Sequence, residues 1–160
     1  MDAKERLLIV GDFDNDARVI ASPGTARNLL DQIVGQRSCV GCVGFITQLQ
    51  QNSRFFDPAY TDKLRRSGVT LQIVPPTEKY HPTSNKIARL GYPDQLIIDY
   101  VFTMIDRFTV LAIISNDLDF LRISAPIIER GKKIELVVAE RARYKLERKV
   151  TNPNIYLRTF

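Results

Sequence analysis

Short, fully apolar runs alternate along this chain with longer stretches of helical period. The clearest run is Val110–Ile114, V-L-A-I-I, five apolar residues of which three are β-branched. Such a run, with no polar alternation, predicts a strand buried on both faces of a parallel sheet. Leu7-Leu8-Ile9-Val10 repeats the design near the start of the chain. Further strands are expected over Val40–Ile46, Val69–Val74 and Lys133–Val138, with a short terminal one near Ile155–Arg158. Ser22 and Pro23 are placed to cap and open a helix that runs to about Val34 and stops at Gly35. Asp57-Pro58 starts a short helix through Arg66, and Pro93 opens another to about Arg107. A fourth ends at Gly131, with Pro126 in its first turn or at a kink. Pro75–Tyr92 reads as a long polar connection with little periodicity, of the kind that is functional or mobile.

Strands that alternate with helices imply right-handed crossovers. The expected fold is therefore α/β, a three-layer sandwich with a mostly parallel central sheet of about five strands. Residues 1–160 are the size of a single domain, with a core over about 7–138 and a basic C-terminal extension over 140–160.

The chemistry gathers where the buried strands stop. Val110–Ile114 runs into Ser115, Asn116, Asp117 and Asp119, and the first strand runs into Gly11-Asp12-Phe13-Asp14-Asn15-Asp16. Open α/β sheets bind ligands outside the carboxyl ends of their strands. A third acid comes from the helix after Pro93. On a helical projection Asp94 lies within about 80° of Ile97, Ile98, Val101, Met104 and Ile105, whereas Asp99 and Asp106 fall about 120–140° away. A helix between two parallel strands runs antiparallel to them, so Asp94 at its amino terminus should sit at the same sheet edge as Asp12 and Asp117. Two carboxylates about 4 Å apart repel by roughly 4 kcal/mol at an effective dielectric near 20, so such a cluster needs a cation. With oxygen ligands and no His or Cys nearby, Mg²⁺ or Mn²⁺ fits, and metal-assisted phosphate chemistry follows. No Ser-His-Asp or Cys-His arrangement and no Walker lysine offers an alternative.

Charge is unevenly spread along the chain. The net charge is +5, and residues 140–160 hold six cations against Glu140 and Glu147, which is +4 of that excess. A basic segment suits a polyanion. Arg141, Arg143 and Lys145, with Lys86 and Arg89 of the 75–92 connection, are the candidate nucleic-acid contacts. No apolar run has the length of a membrane span, and Met1–Arg6 lacks a signal peptide's apolar region, so an intracellular, cytoplasmic protein is expected. Cys39-Val40-Gly41-Cys42 is nominally a C-x-x-C. Inside a strand its two cysteines should point to opposite faces, and the one histidine, His81, does not complete a zinc site. Both are expected to be ordinary core cysteines.

The opening Asp12-Phe13-Asp14-Asn15 resembles the D-x-D-N start of NYN domains, a branch of the PIN-like nucleases. Ile114-Ser115-Asn116-Asp117-Leu118-Asp119-Phe120 is similar to their strand–S-x-D-x-D-F signature, and Glu129-Arg130-Gly131-Lys132-Lys133-Ile134 to their R-G-K run into the last core strand. Pro93-Asp94-Gln95-Leu96 takes the place of the family's mid-chain helix acid. The resemblance covers most of Leu7–Val138. It implies a Mg²⁺- or Mn²⁺-dependent ribonuclease acting on single-stranded RNA, with Asp12, Asp94, Asp117 and Asp119 around the metal. Asn15 and Ser115 would orient a metal water or a phosphate. Two departures stand out: Asn116 where a glycine is commoner, and Tyr100 where many relatives carry a second helix acid.

Two other readings remain. A non-catalytic RNA-binding or assembly module, alone, as a homo-oligomer or within a larger RNA-processing assembly, would use the basic tail and the 75–92 connection. A haloacid-dehalogenase-like phosphatase shares the D-x-D of Asp12-Phe13-Asp14, but expects Thr or Val where this chain has Asp16.

Overall fold

The fold is seen in a computed structural model that describes residues 4–13, 23–47, 59–74, 77–81, 86–90, 93–116 and 118–160. In chain order the elements are β1 (Arg6–Asp12), α1 (Pro23–Val34), β2 (Ser38–Thr47), α2 (Ala59–Arg66), β3 (Thr70–Val74), β4 (Thr77–His81) and β5 (Lys86–Leu90). There follow α3 (Pro93–Thr103), β6 (Val110–Ile114), a 3₁₀ helix (Leu118–Ile123), α4 (Ser124–Ile128), β7 (Lys133–Val138), α5 (Glu140–Glu147) and β8 (Ile155–Thr159).

The central sheet has six strands in the order β3-β2-β1-β6-β7-β8, and every neighbouring pair is parallel. β1 and β6, the two runs most apolar in sequence, lie side by side at its centre, with Leu7 opposite Val110 and Gly11 opposite Ile114. Alternation then sorts their side chains between two cores. Leu7 and Ile9 pack with Leu29, Leu30 and Ile33 of α1 and Leu64 of α2. Leu8 and Val10 pack on the other face with Ile97 and Val101 of α3, Phe120, Ile123, Ile127 of α4 and Leu146 of α5. Helices on both faces make the expected three layers. Each fully buried aliphatic contributes about 1.5–3 kcal/mol, which explains why the two central strands stay apolar over Leu7–Val10 and Val110–Ile114.

Four expectations need correction. The sheet has six strands rather than about five, because Ile155–Thr159 joins it as an edge beside β7. Residues 140–160 are therefore not an extension: Leu146 is buried, and β8 pairs with β7 in the central sheet. Glu135, only 5% exposed, receives Arg37 at 2.7 Å and Arg158 on its other oxygen, linking the start of β2 and the end of β8 to β7. Next, the polar connection after Val74 contains an antiparallel pair, β4 with β5, Thr77 opposite Leu90 and His81 opposite Lys86. These strands pair only with each other, in a separate two-stranded sheet. Third, α3 stops at Thr103, since the chain must turn there to bring Thr109 onto Arg6, whose carbonyl accepts its N–H at 2.8 Å. Pro126 falls in the first turn of α4, where a missing N–H costs nothing.

The fourth correction concerns the cysteines. Leu7 pairs with Cys39 but Leu8 with Gly41, so β2 carries one extra residue at Val40. A bulge of this kind resets the alternation. Cys39 is opposite Leu7 and Cys42 opposite Ile9, which share a face, so both cysteines lie on the α1 side of the sheet. Cys39 is exposed and Cys42 partly buried; neither forms a disulfide. Burial, reinforced by Cys39, pushes the Cys42 thiol up to about 12.

Candidate functional site

β1 is followed by α1, which leads to β2 and β3 on one side, while β6 carries the chain to β7 and β8 on the other. The crevice between β1 and β6 is thus the point where the winding direction reverses, the place where such sheets take their ligands. Asp12 is the last residue of β1, and Ser115 follows the last residue of β6. Because Gly11 is opposite Ile114, Asp12 and Ser115 come next to each other at the carboxyl edge. By alternation from Val10 and from Ile113 both belong to the face that α3 covers. Both are buried, Asp12 to 3% exposure and Ser115 to 8%. The Ser115 N–H donates to the Val137 carbonyl at 3.2 Å, fixing the strand end.

Asp12 is held in place by its neighbour. The Phe13 ring, 2% exposed, folds back over the sheet onto two glycines. A Cβ on Gly44 would come within 1.9 Å of that ring and one on Gly11 within 2.8 Å. Glycine at both positions lets an aromatic ring lie flat on two strands, and that anchors the chain immediately after Asp12.

The orientation of α3 follows the expected logic. Its C-terminal end lies at the start of β1, where the Asp106 carbonyl accepts from Arg6 Nη2 at 3.4 Å. Eleven residues of helix span about 16 Å, so the amino terminus with Pro93 and Asp94 reaches the opposite, carboxyl edge. Ile97 and Val101 are fully buried beneath it. Asp99 is exposed and accepts from Gln95 Nε2 at 2.8 Å, on the polar side as the projection required. Tyr100 packs edge-on against Phe45, with ring centroids 6.0 Å apart, so this helix position is used for packing.

The structure thus brings Asp12, Ser115 and the start of α3 to one edge. Asp94 is placed by its backbone in α3 and Asp119 by its backbone in the 3₁₀ helix that follows β6, while their side chains, with Asp117 and Asn15 entirely, lie outside the described residues. Among the described residues no three His, Cys, Asp or Glu side chains are gathered for a metal. The donors described at this edge are oxygen, and the nearest described sulfur ligands, Cys39 and Cys42, are on the opposite face of the sheet. That donor chemistry fits a hard cation such as Mg²⁺ or Mn²⁺.

The basic segment forms the helix α5 and leads into β8. Asn116, directly after Ser115, accepts the backbone N–H of Ala139 through Oδ1 at 2.9 Å. Ala139 caps α5, so the basic helix begins beside the candidate site. At 100° per residue α5 divides into three faces. Ala142 and Leu146, with Val150 beyond them, meet the core. Arg143 lies on a second face and is bound to Glu140 at 3.7 Å and to Glu147, which raises its pKa. Arg141, Tyr144, Lys145, Arg148 and Lys149 fall within an arc of about 140° on the third. Arg143, a candidate RNA contact, is therefore committed to its own helix, while Arg141 and Lys145 share the outward face. Charge alone did not single out Tyr144, Arg148 and Lys149. The signal was in the sequence: acids three residues before and four after Arg143 mark the paired face. Lys86 and Arg89 are on β5, their side chains outside the described residues.

No family model matches the chain, and no curated protein matches it. Among solved structures it is similar to a protein of unknown function from Vibrio parahaemolyticus, with a TM-score of 0.74 and 16% identity, over 98% of this chain and 94% of that one. At that identity the likeness extends to the fold. Among the described residues no helix is long and apolar enough to cross a membrane.

Proposed function

We propose that this protein is a Mg²⁺- or Mn²⁺-dependent ribonuclease of NYN type that hydrolyses single-stranded RNA inside the cell. The observation that carries the reading is the burial of Asp12 beside Ser115 at the crevice between β1 and β6. Asp12, Asp94, Asp117 and Asp119 would hold the metal. The bound ion would supply an activated water and positive charge against the scissile phosphate. Asp12 is rigid because Phe13 pins the chain behind it, which keeps a ligand oxygen in place. Ser115, which follows β6 beside Asp12, and Asn15 would orient a metal water or a phosphate oxygen. The helix dipole of α3 would favour the carboxylate of Asp94 at its amino terminus. α5 holds the strand that leads away.

One observation favours a second reading, an RNA-binding or assembly module that does not cut: the cationic face of α5 would bind RNA whether or not the acids act. The test is incubation of labelled single-stranded RNA with Mn²⁺, with and without chelator, for wild type, Asp12→Asn and Asp117→Asn. The nuclease reading expects chelator-sensitive cleavage that falls at least about a hundredfold in either variant, with RNA binding retained in both. Wild type that binds RNA but never cuts it, with any divalent ion, leaves the binding module. A chromogenic phosphate monoester turned over by the wild type would instead favour the phosphatase.

A further inference from the structure

We propose that Tyr144 and Arg148 form a nucleobase-stacking platform on α5, which holds the single-stranded flank of an RNA whose scissile phosphate lies at Asp12. The inference rests on the RNA reading above and goes beyond it by naming where a base is bound and by what.

Tyr144 is 63% exposed, the largest exposure among the big hydrophobic side chains described. Packing does not explain its presence, since α5 buries Leu146 and Ala142 on a different face. Its ring is nonetheless oriented. The Arg148 guanidinium lies 4.3 Å from the ring centroid and also donates to the Tyr144 hydroxyl. The guanidinium lies over one face of the ring, so the platform uses the other, on a side chain that stays 63% exposed. An aromatic face held ready, with an arginine behind it, is what a base stacks on without regard to its identity. Cations flank it along the helix: Arg141 one turn before, Lys145 next to it, and Lys149 after it, on the same arc. Arg143 takes no part, being bound to Glu140 and Glu147. The stripe is about 12 Å long at 1.5 Å per residue. It also has a direction, because the Asn116–Ala139 hydrogen bond fixes its first turn beside Ser115. Phosphates would follow Lys145 and Lys149 away from the acids while one base stacks on Tyr144.

The experiment measures affinity of the full chain in EDTA for a labelled dodecamer of uridine, for an abasic ribose-phosphate strand of the same length, and for a duplex RNA. Tyr144→Ala should weaken uridine-strand binding by roughly tenfold and leave abasic and duplex binding unchanged. Tyr144→Phe should keep most of the affinity, since the ring face and not the hydroxyl binds. Lys145→Gln should weaken uridine and abasic strands alike. Equal affinity of wild type and Tyr144→Ala for the uridine strand overturns the platform, as does an equal loss on the abasic strand. If wild type binds with this pattern but does not cut with Mn²⁺, the nuclease reading fails and the platform stands. If wild type cuts but Tyr144→Ala binds and cuts as wild type does, the platform fails and the nuclease stands. A wild type that binds no RNA overturns both.

Discussion

Asn116 Oδ1 accepts the backbone N–H of Ala139 at 2.9 Å, and this one bond joins the loop after β6 to the first turn of α5. Ala139 is buried, and the carboxamide satisfies its N–H, a donor at the helix start that has no partner within α5. Asn116→Ala would leave a buried donor unsatisfied. Stability should fall by about 1–2 kcal/mol, and RNA affinity should fall with it as the basic helix loosens. Asn116→Asp keeps an acceptor in place and should remain within about 0.5 kcal/mol of wild type. Urea titrations of the two variants decide this, and an unchanged Asn116→Ala midpoint would show that α5 is held by other contacts.

A second prediction follows from the glycines under Phe13. Gly44→Ala puts a methyl 1.9 Å from the ring, so the ring must leave its place. The substitution should cost about 1–3 kcal/mol, as overpacking does in a filled core. It should also reduce metal-dependent cleavage, because Asp12 precedes the displaced ring. Combining it with Phe13→Leu should recover part of the stability, since the crowded atoms are then gone. Additive losses in the double variant would contradict the contact.

The third prediction separates the two thiols. Iodoacetamide at pH 8 should label Cys39 in the native protein well ahead of Cys42, because Cys42 is partly buried and its thiol stays neutral. The linkage has a definite sign. Burial raises the Cys42 thiol from its ordinary 9.0 to about 12, so between those values the unfolded chain releases a proton that the folded chain keeps. Stability from this group is complete below about pH 9 and is lost as the pH rises toward 12. Cys42→Ala should flatten that decline relative to wild type in denaturation at pH 8, 9 and 10. Parallel curves would remove Cys42 as its cause.

The cysteines also show what a linear reading misses. The buried strands were legible because Val110–Ile114 and Leu7–Val10 are apolar on both faces, and a parallel sheet demands that. The edge that carries Asp12 and the start of α3 was legible too, since the direction of a crossover helix follows from connectivity alone. A bulge leaves no such mark. The extra residue at Val40 moves Cys39 across the sheet, and nothing in C-V-G-C announces it. β4 and β5 were missed for a related reason: T-E-K-Y-H and K-I-A-R-L lack an apolar face to bury, and they pair with each other instead of with the main sheet. Arg143 is a different matter, because its spacing to Glu140 and Glu147 was in plain view, and a count of net charge passes over it.

The same spacing yields the last prediction, a separation of cations that charge counting treats as equal. Arg143 and Lys145 are two residues apart and carry the same charge, yet about 160° of helix lies between them. Arg143 is already paired with Glu140 and Glu147. Replacing it removes one cation but also frees two acids, and exposed pairs of this kind are worth at most about 0.5 kcal/mol to the helix. Lys145 and Lys149 lie on the outward arc, where binding a phosphate would release counterions. Lys145→Gln should therefore flatten the salt dependence of single-strand RNA binding by about 0.7 log unit, the slope that one neutralised phosphate contributes. Lys145→Gln with Lys149→Gln should flatten it by about twice that. Arg143→Gln should leave the slope as it was, with a small drop in affinity from the freed carboxylates. Salt titrations of the wild type and the three variants on one RNA measure all four slopes. A slope that falls equally for Arg143→Gln and Lys145→Gln would mean that the chain responds to net charge and not to the face of α5.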